Sequence, residues 1–166
     1  MSQDLDLVLE RTLDAPLELV WQACTQAEHL KRWFAPRPYE IAECELDLRP
    51  GGIFRIRMTG PDGFDTGHGN PGCVLEVVEG EKFSWTSALG PDFRPAEMAA
   101  AGCESFPMTA IVTLADAGDG KTLYRAVALH KDKADRDQHE QMGFHDGWGT
   151  TASQLEELAQ ALAAHA

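Results

Sequence analysis

Along most of this chain apolar and polar residues alternate, and near its end the rhythm changes to helical spacing. Over residues 142–163 the apolar positions are Phe144, Trp148, Ala152, Leu155, Leu158, Ala159 and Leu162. That i, i+3/i+4 stripe predicts one long amphipathic helix of about 33 Å. Its other face carries Asp146, Thr150, Gln154, Glu157 and Gln160. Such a helix has to lay its stripe on a large apolar surface. Gly143, Gly147 and Gly149 interrupt the first turns, where each costs roughly 1 kcal/mol relative to Ala. They leave room beside Phe144 and Trp148, for close backbone packing or for a bordering cavity.

The alternating stretches supply the surface. Leu5, Leu7 and Leu9 oppose Asp6, Val8 and Glu10 in a first strand at 5–13. Asp14-Ala-Pro16 then opens a short helix with Leu17, Val20, Trp21 and Cys24 inward. Thr25 and Glu28 have capping-box spacing for a second helix, which bears Leu30, Trp33 and Phe34 and ends before Pro36. A strand at 39–48 turns Ala42, Cys44, Leu46 and Leu48 to one face and Glu43, Glu45 and Asp47 to the other. After the turn at 49–52, a strand at 53–58 puts Phe54, Ile56 and Met58 inward and Arg55 and Arg57 outward, basic face beside acidic face. Strands at 73–78 and 82–86 follow, with Phe83 and Trp85 sharing a face. The last hairpin joins 108–114 to 122–129. Arg125 there lies among Leu123, Val127 and Leu129. Either that face is outward and Tyr124, Ala126 and Ala128 line the cavity, or a buried Arg awaits an anion. The first reading is preferred, because an unpaired buried charge is costly. Residues 132–141 read as helix with Asp137 and Glu140 as a capping pair, and either run into the long helix or break at Gly143.

The order β–α–α–β(six)–α predicts a single α+β domain over 1–166. A curved antiparallel sheet of about seven strands wraps the long C-terminal helix, and two short helices follow the first strand. A sheet gripping one helix leaves a pocket between them suited to small apolar ligands. Six aromatic and apolar positions are the candidate ligand contacts: Trp33, Phe54, Ile56, Trp85, Phe144 and Trp148. Trp21 also falls on an inner face and is expected to be core. Residues 88–105 break the strand rhythm with two prolines and an Ala-rich turn. A loop of that length is expected to act as a lid or binding loop.

Composition narrows the partners. Of 166 residues, 43% are hydrophobic and 25% charged, as in an ordinary globular chain. The net charge of −13 disfavours nucleic acid and anionic lipid. No apolar run is long enough to span a membrane. The acidic, alternating N-terminus is not a signal peptide. Cys24, Cys44, Cys73 and Cys103 form no CxxC; three lie in apolar segments, which suits buried thiols in a reducing cytoplasm. The expected partner is a small apolar ligand, with no nucleic acid, no membrane insertion and a homodimer left open.

No catalytic motif is present. His68, His130, His139 and His145 lack any metal-ligand spacing, and solvated histidines without a metal are expected. No GxSxG surrounds a serine. Cys103 has Glu104 beside it, which would raise its pKa and dull it. No cofactor is expected. The polar candidates for an inward role are His130, His145, Glu104 and Arg125.

The segments APLELVWQACTQAEHLKRWF, ELDLRPGGIFRIRMTGPDG and MGFHDGWGTTASQLEEL resemble the bacterial Hsp90-ATPase-activator-like proteins of the START/polyketide-cyclase (SRPBCC) superfamily. The resemblance covers nearly the whole chain and implies the helix-grip fold. It leaves function open, since the superfamily includes lipid carriers, hormone receptors, cyclases, oxygenase subunits and co-chaperone domains. Three readings follow: a binding protein for an apolar, aromatic or lipid-like ligand, a cyclase or dehydratase acting on an apolar substrate in the same cavity, or a chaperone ATPase cofactor. The eukaryotic co-chaperone has an additional N-terminal domain that binds the chaperone. This chain starts at the first strand of the grip, so stimulation of a chaperone ATPase is not expected.

Overall fold

Alternation at the N-terminus builds β1 (Asp6–Leu13), which buries Leu7, Leu9 and Leu13 and leaves Val8 and Glu10 outside. The computed structural model describes residues 3–67, 71–96 and 106–165. Pro16, in extended conformation, is the residue from which α1 (Leu17–Thr25) starts. Gln26 ends α1 and begins α2 (Ala27–Trp33). The expected capping box at Thr25 does not form. Its hydroxyl donates instead to the Trp21 carbonyl at 2.7 Å, back along its own helix.

The strands that follow are β2 (Glu40–Leu46), β3 (Ile53–Thr59), β4 (Gly72–Val78), β5 (Lys82–Thr86), β6 (Leu89–Gly90), β7 (Arg94–Pro95), β8 (Met108–Gly118) and β9 (Lys121–His130). Six of them join β1 in one seven-stranded antiparallel sheet in the order β1-β9-β8-β5-β4-β3-β2. It curls into a half-barrel. Among the described residues β6 and β7 pair only with each other, inside the expected insert. Its remaining residues, 97–105, with the Ala-rich turn, Cys103 and Glu104, lie outside the described residues, as does His68.

Expected faces hold except where the ladder slips. Glu45 is registered opposite Arg55 and Glu43 opposite Arg57. Arg55 also reaches Glu43 at 3.6 Å, and Arg57 bonds Asp65 at 2.7 Å. A bulge between Ile41 and Glu43 inverts the start of β2, so Ile41 is buried and Ala42 faces out. On β9, Tyr124, Ala126 and Ala128 are buried, while Arg125 is exposed and 3.7 Å from Glu10. The outward reading of Arg125 is therefore the one realised.

The chain closes with α3 (Lys133–Gln141) and α4 (Phe144–Ala164). Asp132, not the expected pair, caps α3 by accepting from Asp135 N at 2.9 Å. Asp137 and Glu140 hold Arg136 instead. The helices break at Gly143, whose φ of +95° suits glycine. Phe144, Ala152, Leu155, Leu158 and Ala159 of α4 are buried in one core with Leu7, Leu9, Phe83, Val112 and Leu114 of the sheet. Each large side chain so buried stabilises the fold by about 1.5–3 kcal/mol. Gln154 is not on a polar face as expected. It is buried, donates to the Trp33 and Ala35 carbonyls at 3.0 and 2.8 Å, and accepts from Arg37 N at 3.0 Å. It thereby fastens the end of α2 to α4. Among the described residues no helix is long and apolar enough to cross a membrane.

Candidate ligand cavity

Between the curled sheet and the first half of α4 lies a cavity of about 430 Å³. Its sheet wall consists of Met58 of β3, Trp85 of β5, Met108, Ala110 and Val112 of β8, and Tyr124 of β9. Its helical wall is Phe144, Gly147, Trp148 and Thr151 of α4, with Trp33 and Phe34 from the end of α2. Tyr39, Phe64 and Met142, each partly exposed, stand at the rim. The space persists because of what α4 omits. A Cβ added at Gly147 would meet nothing within 4 Å. Gly149, grouped with it in the sequence reading, faces elsewhere: its Cβ would come within 3.3 Å of the Arg11 guanidinium.

Four of the six expected contacts, Trp33, Trp85, Phe144 and Trp148, are on the wall. Phe54 is not. It stacks against Trp85 at 4.2 Å and 9°, buttressing that indole from behind. Ile56 packs against the core without reaching the wall. Trp33 offers the cavity its ring only, since its N–H is spent on the Ala23 carbonyl at 2.8 Å. Trp21 is core, edge-on to Phe83 at 6.1 Å.

Sequence reading missed the rest of the wall for two reasons. Met58 shares the inward parity of Phe54 and Ile56, so it was readable as inward without being assigned to a site; of Tyr124, Ala126 and Ala128, read together as lining the cavity, Tyr124 is on the wall. His139 was not readable: it is a single ring in an otherwise charged helix, and its burial depends on partners distant in sequence.

His130 and His139 correct the expectation of solvated histidines. Both are buried. His130 Nδ1 lies 2.8 Å from the Leu5 carbonyl oxygen, and its Nε2 lies 2.9 Å from His139 Nδ1. His139 is on the cavity wall, among the rings of Phe106, Phe144 and Trp148. Desolvation, then the neighbouring His130, lowers its pKa to about 4. Of the other polar candidates, Glu104 lies outside the described residues and the two described ones do not reach the cavity. Arg125 faces out, and His145 is exposed, 3.6 Å from Glu140. Burial pushes the Cys24 thiol and the Tyr124 phenol above their usual ranges, so neither supplies an anion at neutral pH. Among the described residues no cluster of His, Cys, Asp and Glu could hold a metal ion.

Solved structures share this architecture. A protein of Nitrosomonas europaea is 43% identical, with 99% of each chain covered and a TM-score of 0.87. One from Mycobacterium smegmatis is 25% identical over 96% of this chain and 90% of that one, with a TM-score of 0.69. One from Rhodobacter sphaeroides, 18% identical over 97% and 96%, has a TM-score of 0.76 and supports the fold alone. No curated protein of assigned function matches the chain. Residues 14–160 match the family model described as activator of Hsp90 ATPase homolog 1-like protein. With that match spanning most of the chain, and with a half-barrel closed on one C-terminal helix, the protein belongs to the activator of Hsp90 ATPase homolog 1-like family of the SRPBCC superfamily.

Proposed function

We propose that this protein binds a small apolar or aromatic ligand in the cavity between sheet and α4. The observation that carries the reading is the open space of about 430 Å³ beside Gly147, walled by indole, phenyl and thioether groups. Ligand sites commonly have volumes of about 300–1,000 Å³ and apolar walls with few polar groups. A well-packed core would have closed such a space. Thiols kept buried at Cys24 and Cys73 are compatible with a reducing, cytoplasmic setting.

The test is a thermal-shift and tryptophan-emission screen against apolar aromatic and fatty compounds. A ligand at a hundredfold excess over its Kd should stabilise the fold by about 2.7 kcal/mol. Gly147→Leu should fill the space and weaken binding at least about tenfold while leaving the melt nearly unchanged, since its side chain enters open volume. Trp148→Ala should abolish most of the emission change. Hits that bind both variants as tightly as the parent would refute the reading.

A further inference from the structure

The His130–His139 pair fixes a direction that the apolar wall lacks. His130 Nδ1 faces a backbone carbonyl, that of Leu5. A carbonyl only accepts, so Nδ1 must carry the hydrogen. With the ring uncharged, His130 Nε2 is then a lone pair. It meets His139 Nδ1 at 2.9 Å, so His139 has to donate there. That donation spends its one hydrogen. His139 Nε2 is left as a bare acceptor on a wall residue of the cavity.

The neighbours do not undo this order. From the chain preceding β8, Phe106 lies against His139; from α4, Phe144 and Trp148 do; from β9, His130 does. Phe106 and Phe144 offer only ring hydrocarbon, Trp148 is an indole that can donate but not accept, and the fourth is the relay partner. Thr151, also on the wall, donates its hydroxyl hydrogen to the Trp148 carbonyl at 2.8 Å and so presents lone pairs as well. The Tyr124 hydroxyl can rotate to either role and sets no sign.

We propose that the cavity selects ligands joining an aromatic body to a hydroxyl that donates to His139 Nε2, and that it disfavours a carboxylate at that position. This rests on the ligand-binding reading of the same cavity. With a pKa near 4, His139 is uncharged at neutral pH and a poor proton acceptor. It accepts a hydrogen bond from the ligand and leaves the proton on it, which separates binding from general-base catalysis. A carboxylate would set its own lone pairs against that of His139 and lose its hydration without replacement.

Four probes of one shape test this near pH 8: biphenyl, 4-phenylphenol, 4-methoxybiphenyl and biphenyl-4-carboxylate, titrated by calorimetry. The phenol should bind the parent about tenfold or more tighter than the ether or the carboxylate, in line with one satisfied buried hydrogen bond. His139→Phe keeps a ring in place but removes the acceptor, so the ratio of phenol to biphenyl affinity should fall by about tenfold. His130→Phe frees the His139 tautomer, so its penalty against the carboxylate should shrink. Nitrogen-15 chemical shifts of the free protein give a ligand-independent readout, with His139 Nε2 expected at the unprotonated position. Probes that bind the parent without discrimination, or a protonated Nε2, would overturn the assignment and leave the ligand-binding reading standing. Failure of every probe to bind would remove both.

Discussion

His139 gives the molecule a stability signature of its own. The folded protein resists protonating this ring until about pH 4, whereas an unfolded chain protonates it near the ordinary value of 6.5. Between those values the unfolded state holds the extra proton, so stability falls as pH drops through that window and is unaffected by this group above it. Urea unfolding should show a loss of about 1–2 kcal/mol from this ring between pH 7 and pH 5, the cavity's access to water keeping it below the full linkage value. The comparison that isolates it is His139→Phe, whose stability should vary less with pH over that range. Equal slopes in the two proteins would show that His139 is not held neutral. A sequence cannot reveal this state, because it arises from Phe106, Trp148 and a His130 held by the Leu5 carbonyl, which only the fold gathers at one ring.

Elements were legible where one physical rule acts alone. Arg125 among apolar neighbours told which face of β9 is outward, since burying it unpaired would cost more than placing Leu123 and Leu129, both half-buried, on the outer side. Phe54, Ile56 and Met58 were read inward from alternation alone. Elsewhere a second effect intervened. The bulge at Ala42 reverses the parity of β2 with no glycine or proline to announce it. Gln154 reads as polar surface on α4, yet its amide is consumed by Trp33, Ala35 and Arg37, all more than a hundred residues away. Gly143 was readable as a break but not as a required left-handed residue. Its φ of +95° predicts that Gly143→Ala lowers stability by about 1–2 kcal/mol, although its Cβ would touch nothing. Chemical denaturation of that variant checks this, and an unchanged midpoint would show that α3 and α4 can join through another backbone path.

At the scale of the whole molecule, the sheet is laddered unevenly. β8 and β9 are registered along ten residue pairs, from Met108 with His130 to Gly118 with Lys121. Among the described residues β3 meets β4 only at Ile53 with Cys73 and Phe54 with Gly72. Beyond Phe54, the outer half of β3 turns to its own continuation: Thr66 N donates to the Met58 carbonyl, and Thr59 bridges Asp65. Tyr39, Met58 and Phe64 therefore ride on an arm fastened to the main sheet near Phe54, with Tyr39 and Phe64 edge to edge at 5.2 Å. Mechanically, we expect that arm to move as a jaw, with the short β3–β4 seam as its pivot, the rim of the cavity as its teeth and the packing of β2 on α2 as its restraint. Its opening breaks few inter-strand bonds, so local unfolding should occur there well below the global free energy. Amide hydrogen exchange should be faster at Arg57 and Met58 than at Val112 and Ala126, and an occupied cavity should slow the first pair selectively. A guest enclosed between sheet and helix would then enter and leave by a swing of this jaw, with the α4 grip staying shut.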